Sequence, residues 1–336
     1  MTLTQGDLHR MLRRCGTLGV LAALALSWAA AAQTSLEPTP ILTWVHTLKA
    51  TLPEAGSNAY VQPSPADAEA FRMAITQLLG GKIQEGRTKL NALNYDLFNL
   101  PDGAGQTYLV VKEKSAGFRG LGTYIINPRY QRNVALEVPH PFFDTGTPEE
   151  GAQLFTGLGA RILLIAGTHR CADSAASSCT GKTKACSPGE SQAFRVSDLG
   201  HSLPSFFQGA HEASDHAGMI TISLHGNSSE APDVEVSDGT NAPQHADALV
   251  IRFRNALAAQ GVQVASCNWA DDSPDGLALC GTTNVQGRFS NGSPDACARE
   301  ATKGSGTFLH LEQHLNIRKG PAALIAAAAS VLPVVR

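Results

Sequence analysis

Hydrophobic positions along the chain recur first with a helical period and then with a strand period, and the points where the period changes lay out the elements. Between residues 65 and 80, Ala66, Ala70, Phe71, Ile75, Leu78 and Leu79 fall on one broad face, which predicts a helix opened by Pro65 and closed by Gly80-Gly81. A shorter helical patch is expected from Ile41 to Leu52. Extended stretches are predicted at 107–111, 123–126 and 133–138. The stretch 162–166 is apolar throughout, as a strand buried on both faces should be. Between the last two, Pro148 to Leu158 begins with Glu149-Glu150 and places Leu154, Phe155 and Leu158 at helical spacing. Strand, helix and strand with short connections make a βαβ unit. Further on come a helix within 194–209, a strand at 219–225, a helix at 246–261, strands at 262–265 and 307–312, and a closing helix at 322–332. The fold class is therefore α/β, a mixed central sheet with helices on both faces. Residues 33–105 read as an N-terminal extension with helices, and 106–336 as the main α/β domain.

The first 32 residues break this pattern. Arg10, Arg13 and Arg14 precede an almost purely apolar run from Leu18 to Ala32, and Ala30 and Ala32 stand before Gln33 like a cleavage site. This is the layout of a signal peptide and places the mature chain outside the cytoplasm, secreted or periplasmic. An N-terminal membrane anchor is the other reading, although the run is short for a hydrocarbon core of about 30 Å. No integral membrane segment is expected after cleavage. Removal of the leader takes Cys15 and leaves Cys171, Cys179, Cys186, Cys267, Cys280 and Cys297. An even number of cysteines in an exported chain suggests disulfides. With three cysteines in each of two groups, full pairing needs at least one bridge between the groups. A zinc cluster is the alternative, but no C-x2-C spacing supports it. The net charge of −3 excludes electrostatic steering toward nucleic acid.

Polar residues gather where the apolar strands end. The 133–138 strand runs into Pro139-His140-Pro141, the 162–166 strand into Gly167-Thr168-His169-Arg170, the 219–224 strand into His225-Gly226, and the last strand carries Glu312. Ligands of open α/β sheets bind outside the carboxyl ends of strands, so these residues are expected on one rim, with a metal site there. His140 and Asp144, four residues apart through a turn, together with His225 offer two imidazoles and a carboxylate. That is an open catalytic set for Zn2+. Glu312 shares a strand face with Phe308 and His310 and is the candidate proton carrier. His169 and Arg170 are candidates for stabilising a developing oxyanion, and Asn284, Arg288 and Arg318 for anchoring a substrate carboxylate. Each also has a plain structural reading: a turn cap for Asp144, a packed strand-end histidine for His140 and His225, a surface ion pair for Glu312. No G-x-S-x-G elbow surrounds Ser202, Ser205 or Ser223, which leaves a serine hydrolase without support.

The segment His140-x-x-x-Asp144-x-Gly146-Thr147 resembles the metal-binding segment of the poly-γ-glutamate hydrolase group, where the acid is usually glutamate. Those enzymes are relatives of the zinc carboxypeptidases and the N-formylglutamate amidohydrolases. Leu136 to His140 looks like the strand and turn before the first metal ligand of the formylglutamate enzymes. His225 matches the third zinc ligand, and Gly306 to Glu312 resembles the strand that carries the catalytic glutamate. Thr283-Asn284 and Arg288 look like the region that holds the substrate carboxylate. Asp144 is one methylene shorter than the usual ligand, and the carboxypeptidases space their pair one residue tighter. The resemblance implies a zinc-dependent amidohydrolase or peptidase-like hydrolase. Its substrate would be a small molecule or peptide outside the cytoplasm, with cell-wall peptides among the candidates. A metal-dependent phosphoesterase and a non-catalytic exported binding protein also fit the residues.

Overall fold

Nine strand segments combine into one sheet because their side chains are apolar on both faces, so that each face needs its own helical cover. A computed structural model describes residues 39–335 apart from 104, 229–231, 273–276 and 278, and the signal peptide expected over 1–32 lies outside the described residues. In chain order the elements are α1 (Pro40–Leu48), α2 (Pro65–Leu79), α3 (Ile83–Ala92), β1 (Tyr95–Pro101), β2 (Thr107–Glu113), β3 (Thr123–Ile126), β4 (Arg132–Val138), α4 (Thr147–Leu158) and β5 (Ala160–Ile165). The hairpin strands β6 (Lys182–Thr183) and β7 (Gln192–Ala193) follow, then α5 (Phe206–His216), β8 (Ile220–Gly226), β9 (Val234–Ser237), α6 (Leu249–Ala259) and β10 (Val264–Ser266). The chain closes with α7 (Val285–Ser290), β11 (Phe308–Gln313), α8 (Leu315–Lys319) and α9 (Ala322–Val331).

The sheet order is β1-β2-β3-β5-β4-β8-β11-β9-β10. Its middle four strands, β5, β4, β8 and β11, are mutually parallel, and antiparallel neighbours flank them at β3 and β9. Alternation along β4 sends Val134, Leu136 and Val138 to one core with α1, α4, α6 and α9, while Ala135 faces a second core with α2, α3 and α5. β5 divides in the same way, Leu163 and Ile165 against Ile162 and Leu164. The α/β architecture with helices on both faces is as the patterning implied. Among the described residues no helix is long and apolar enough to cross a membrane.

Several elements fall outside the sequence expectation. Within 33–105, read as an extension with helices, α1 and α2 lie where helices were expected, while α3 and the edge strand β1, whose register runs from Tyr95↔Glu113 to Pro101↔Thr107, are additions. Asp96, Asn99 and Pro101 mask β1 in sequence; a proline is tolerated at a sheet edge, where a missing donor costs least. The helix expected within 194–209 begins only at Phe206, where the Ser205 hydroxyl accepts the Gln208 N–H and caps it. Residues before it are irregular and carry chemistry described below. Gly226 is the last residue of β8; a Cβ there would lie 2.3 Å from Arg318 Nη1, so the missing side chain makes room for a guanidinium.

The six cysteines among the described residues all pair. Cys171–Cys186 and Cys267–Cys280 are local, and Cys179–Cys297 joins the two groups across 118 residues. In the chain-entropy account the long loop restricts the unfolded state most, by about 4–5 kcal/mol against about 3 kcal/mol for a loop near 15 residues. Replacing Cys179 and Cys297 with alanine is expected to cost more stability than replacing Cys267 and Cys280, measured by guanidinium unfolding of the two double variants beside the parent.

Candidate functional site

Four parallel strands ending on the same rim deliver their last residues to one place. β4 leads to His140, β5 to His169 and Arg170, β8 carries His225, and β11 carries Glu312 directly opposite His225 in the register. The turn after β4 is set by backbone bonds from Asp144 N–H to the His140 carbonyl, 3.0 Å, and from Thr147 N–H to the Asp144 carbonyl, 3.1 Å. Gly146, at φ 92, then starts α4.

His140, Asp144 and His225 meet. His140 Nδ1 is 3.1 Å from Asp144 Oδ2, His225 Nδ1 is 3.5 Å from the same oxygen, and the two Nδ1 atoms are 3.2 Å apart. Three groups among the described residues could hold a metal ion: this one, His140 with Asp198 and His201, and His225 with His310 and Glu312. The first has a distinctive donor set. A tetrahedron with bonds of 2.0–2.1 Å has edges of about 3.3–3.4 Å, the size of this triangle. The outer nitrogens are also occupied. His140 Nε2 lies 2.8 Å from Asp198 Oδ1, and His225 Nε2 lies 3.1 Å from Ser223 Oγ. An ionised carboxylate only accepts, and His140 meets one at each ring nitrogen, so a neutral ring donates to one of them and turns its remaining lone pair toward the other. Acceptors brought that close repel unless a proton or a metal ion lies between them.

Electrostatics agree with that reading. Burial alone would raise the Asp144 carboxyl, but His140 and His225 beside it hold it well below the usual carboxylate range. Burial pushes His225 down to about 4, against the pull of Asp144. Burial and Arg170 oppose a proton on His140, yet Asp198 and Asp144 outweigh them and the net direction is upward. The cluster is thus built to hold positive charge, as a proton or as a metal ion.

Asp198 was not singled out in the sequence, and it organises one side of the site. Its Oδ1 accepts from His140 Nε2 and from His201 Nδ1 at 2.9 Å, and its Oδ2 accepts from Arg170 Nε at 3.0 Å and Nη2 at 2.6 Å. Burial works against its ionisation, but Arg170, His201 and His140 hold the carboxyl well below the usual range. The Asp198-x-x-His201 spacing was the available signal, hidden because it sits in an irregular stretch read as helix. A cavity of about 300 Å³ opens over the site, with His140, Arg170, His225, His310 and Glu312 among its walls. Burial, followed by the Asp144 charge, drives the Glu312 carboxyl well above its ordinary value.

The remaining sequence candidates lie elsewhere. Arg288 is buried, with Nε donating to the Thr282 carbonyl at 2.8 Å and Nη1 to the Cys297 carbonyl at 3.1 Å, so it braces the disulfide loop. Asn284 caps α7, its Oδ1 accepting the Gly287 N–H at 2.9 Å. Arg318 Nη1 donates to the Thr145 carbonyl at 2.6 Å and steadies the turn that carries Asp144. His169 Nδ1 accepts the Cys171 N–H at 2.9 Å, with its ring beside Phe142 and Phe143. None of these four lines the cavity; Arg170 does.

Glu150, on α4 behind Asp144, is fully buried and accepts from Gln313 Nε2 at 3.2 Å. Burial pushes its carboxyl up to about 8 despite Arg318 nearby. Because this folded value lies above the unfolded one, the contribution is intact below about pH 4.5 and is lost as pH rises toward 8. Glu150→Gln is expected to remove that slope, leaving the variant more stable at pH 8 by on the order of 2 kcal/mol. Urea unfolding of both proteins at several pH values between 5 and 8 checks the difference.

No family model matches the chain, and no curated protein matches it either. Among solved structures, the chain is similar to a putative carboxypeptidase A from Shewanella denitrificans OS-217, with 14% identity, a TM-score of 0.35, and coverage of 73% of this chain and 68% of that one. It is also similar to an N-formylglutamate amidohydrolase from Ralstonia eutropha JMP134, with 14% identity, a TM-score of 0.31, and coverage of 63% of this chain and 95% of that one.

Proposed function

We propose that the protein is an exported zinc-dependent hydrolase that cleaves an amide or peptide bond next to a carboxylate-bearing group. The observation that carries this reading is the triangle of His140 Nδ1, His225 Nδ1 and Asp144 Oδ2, with edges of 3.1–3.5 Å and the outer histidine nitrogens already engaged. Two histidines and one carboxylate leave a coordination position open, the mark of a catalytic rather than a structural zinc site. Zinc held there supplies a Lewis acid and lowers the pKa of water.

The chain's own residues do the rest. Asp198 and Ser223 keep each imidazole in the orientation and tautomer that presents Nδ1 inward, and such partners also raise ligand basicity. Glu312, in the cavity wall beside His225, takes the proton of the attacking water and returns it to the leaving nitrogen. Positive charge at the neighbouring cluster opposes the upward push of burial and favours the basic form of Glu312. Arg170 spends Nε and Nη2 on Asp198 and keeps Nη1 for the carbonyl oxygen, on which negative charge builds during attack. Disulfides around the cavity suit an exported protein.

Metal analysis of the purified protein is expected to find about one zinc per chain. Chelation should abolish hydrolysis of N-acyl amino acids or peptides, and added zinc should restore it. Asp144→Ala and His225→Ala should lose the metal. Glu312→Gln should retain it while kcat falls about 100-fold or more. A protein that binds no zinc and gains no activity from it overturns the proposal.

A further inference from the structure

Glu312 carries the proton in the proposed chemistry, yet no described residue gives its carboxyl a hydrogen bond. Its one ion-pair contact among the described residues is with His310 on the same strand face, Nε2 to Oε1 3.7 Å. Across the sheet the register sets Glu235 of β9 opposite Glu312, and an ionised carboxylate has no hydrogen to offer. A glutamate side chain turns about three torsions, and a base left to rotate among them is poorly aligned for the water it must deprotonate.

His310, by contrast, is held firmly. β11 pairs on both sides, with Ser223 and Ser237 beside His310 in the two registers. Its ring lies against that of His225, with centroids 4.4 Å apart. Gly281, at φ 66, presses on the ring as well: a Cβ there would fall 2.7 Å from His310 Cγ and Cδ2, so the contact exists only because the side chain is missing. That backbone is fixed by the Cys267–Cys280 disulfide and by the Ser237 hydroxyl, which donates to the Cys280 carbonyl at 2.7 Å. His310 lines the cavity and is buried, and its Nδ1 has no partner among the described residues. A carboxylate before Nε2 and no acceptor before Nδ1 place the ring hydrogen on Nε2.

We infer that His310 is a positioning residue for the proposed reaction: its Nε2–H takes Glu312 Oε1 when substrate is bound and fixes the carboxylate for proton transfer. The gap of 3.7 Å exceeds a hydrogen bond of about 2.7–3.2 Å, and a rotation of the Glu312 carboxyl group closes it. Active-site hydrogen bonds commonly tighten in this way only in the loaded complex. With Oε1 held by His310, Oε2 is left for the water. The inference rests on the hydrolase reading, in which Glu312 is the base.

His225, His310 and Glu312 also form a group of a size to hold an ion, so the test counts metal as well as turnover. His310→Phe keeps a packed ring and removes the donor, whereas His310→Gln gives up the ring and keeps an N–H near the place of Nε2. With zinc-loaded protein and an N-acetyl amino acid as substrate, His310→Phe is expected to lower kcat about tenfold with KM nearly unchanged, and His310→Gln to recover most of that loss. Both should hold as much zinc as wild type. In Glu312→Gln, adding His310→Phe should lower kcat little further, because His310 acts through that carboxyl. Independently of turnover, nitrogen–proton NMR spectra of isotope-labelled histidines should show an Nε2–H of His310, assigned by its loss in His310→Phe, that shifts upfield in Glu312→Gln. Loss of zinc from both variants would make His310 a ligand, full activity in His310→Phe would make it packing alone, and a ring proton found on Nδ1 would deny the contact. Each of these overturns the inference and leaves the hydrolase reading standing. Absence of zinc and of turnover in wild type overturns the hydrolase reading, and the inference falls with it.

Discussion

Three acceptor atoms cannot occupy a triangle a little over 3 Å on a side unless positive charge lies among them. His140, Asp144 and His225 are arranged that way. The cost of such an arrangement rises with burial, because the low-dielectric interior strengthens repulsion as well as attraction. Burying these groups together therefore favours positive charge among them, carried by a proton or by a metal ion. Asp198 adds to the point: with a carboxylate at each ring nitrogen, His140 can satisfy both only when it is doubly protonated or when a metal ion takes one side.

The parallel middle of the sheet is what makes the convergence cheap. β4, β8 and β11 are adjacent, so residues at their ends come within reach of one another without long loops. The irregular segments add what strands cannot. The stretch before α5 brings Asp198 and His201 to the outer side of His140, and the cysteine loops close over the cavity. Disulfides hold those loops in place of hydrophobic packing, which polar sequences rich in Gly, Ser and Asp could not supply.

What could be read from sequence follows this division of labour. His140, His225 and Glu312 were legible because each interrupts an apolar strand at its carboxyl end, where a core gains nothing from a charge. Asp144 followed from its spacing to His140. Asp198 and His201 were not legible, because their positions depend on an irregular backbone with no period to reveal which way a side chain points. Arg288 and Asn284 drew attention by residue type and by the resemblance of their segment to a carboxylate-holding region; Arg288 and the Asn284 Oδ1 meet backbone groups. β1 escaped because an edge strand tolerates the Asn and Pro that a central strand excludes.

Residue type and close pairing are not enough to make a site, as a second histidine shows. His211 Nδ1 lies 2.7 Å from Glu137 Oε1, shorter than any His–Asp144 distance, and both side chains are fully buried between β4 and α5. Its Nε2 meets Ser290 Oγ at 3.2 Å, and that hydroxyl donates to Asp215 at 2.7 Å. Each nitrogen of His211 has a single partner, so its charge is matched by one carboxylate and no lone pairs are brought together. The pair ties α5 to the sheet. At the rim, by contrast, a carboxylate and two imidazoles direct their acceptors to a common point while other groups take the outer nitrogens. The difference between His211 and the two rim histidines is not burial or distance to an acid, but that at the rim two ring nitrogens and a carboxylate oxygen converge within 3.1–3.5 Å of one another.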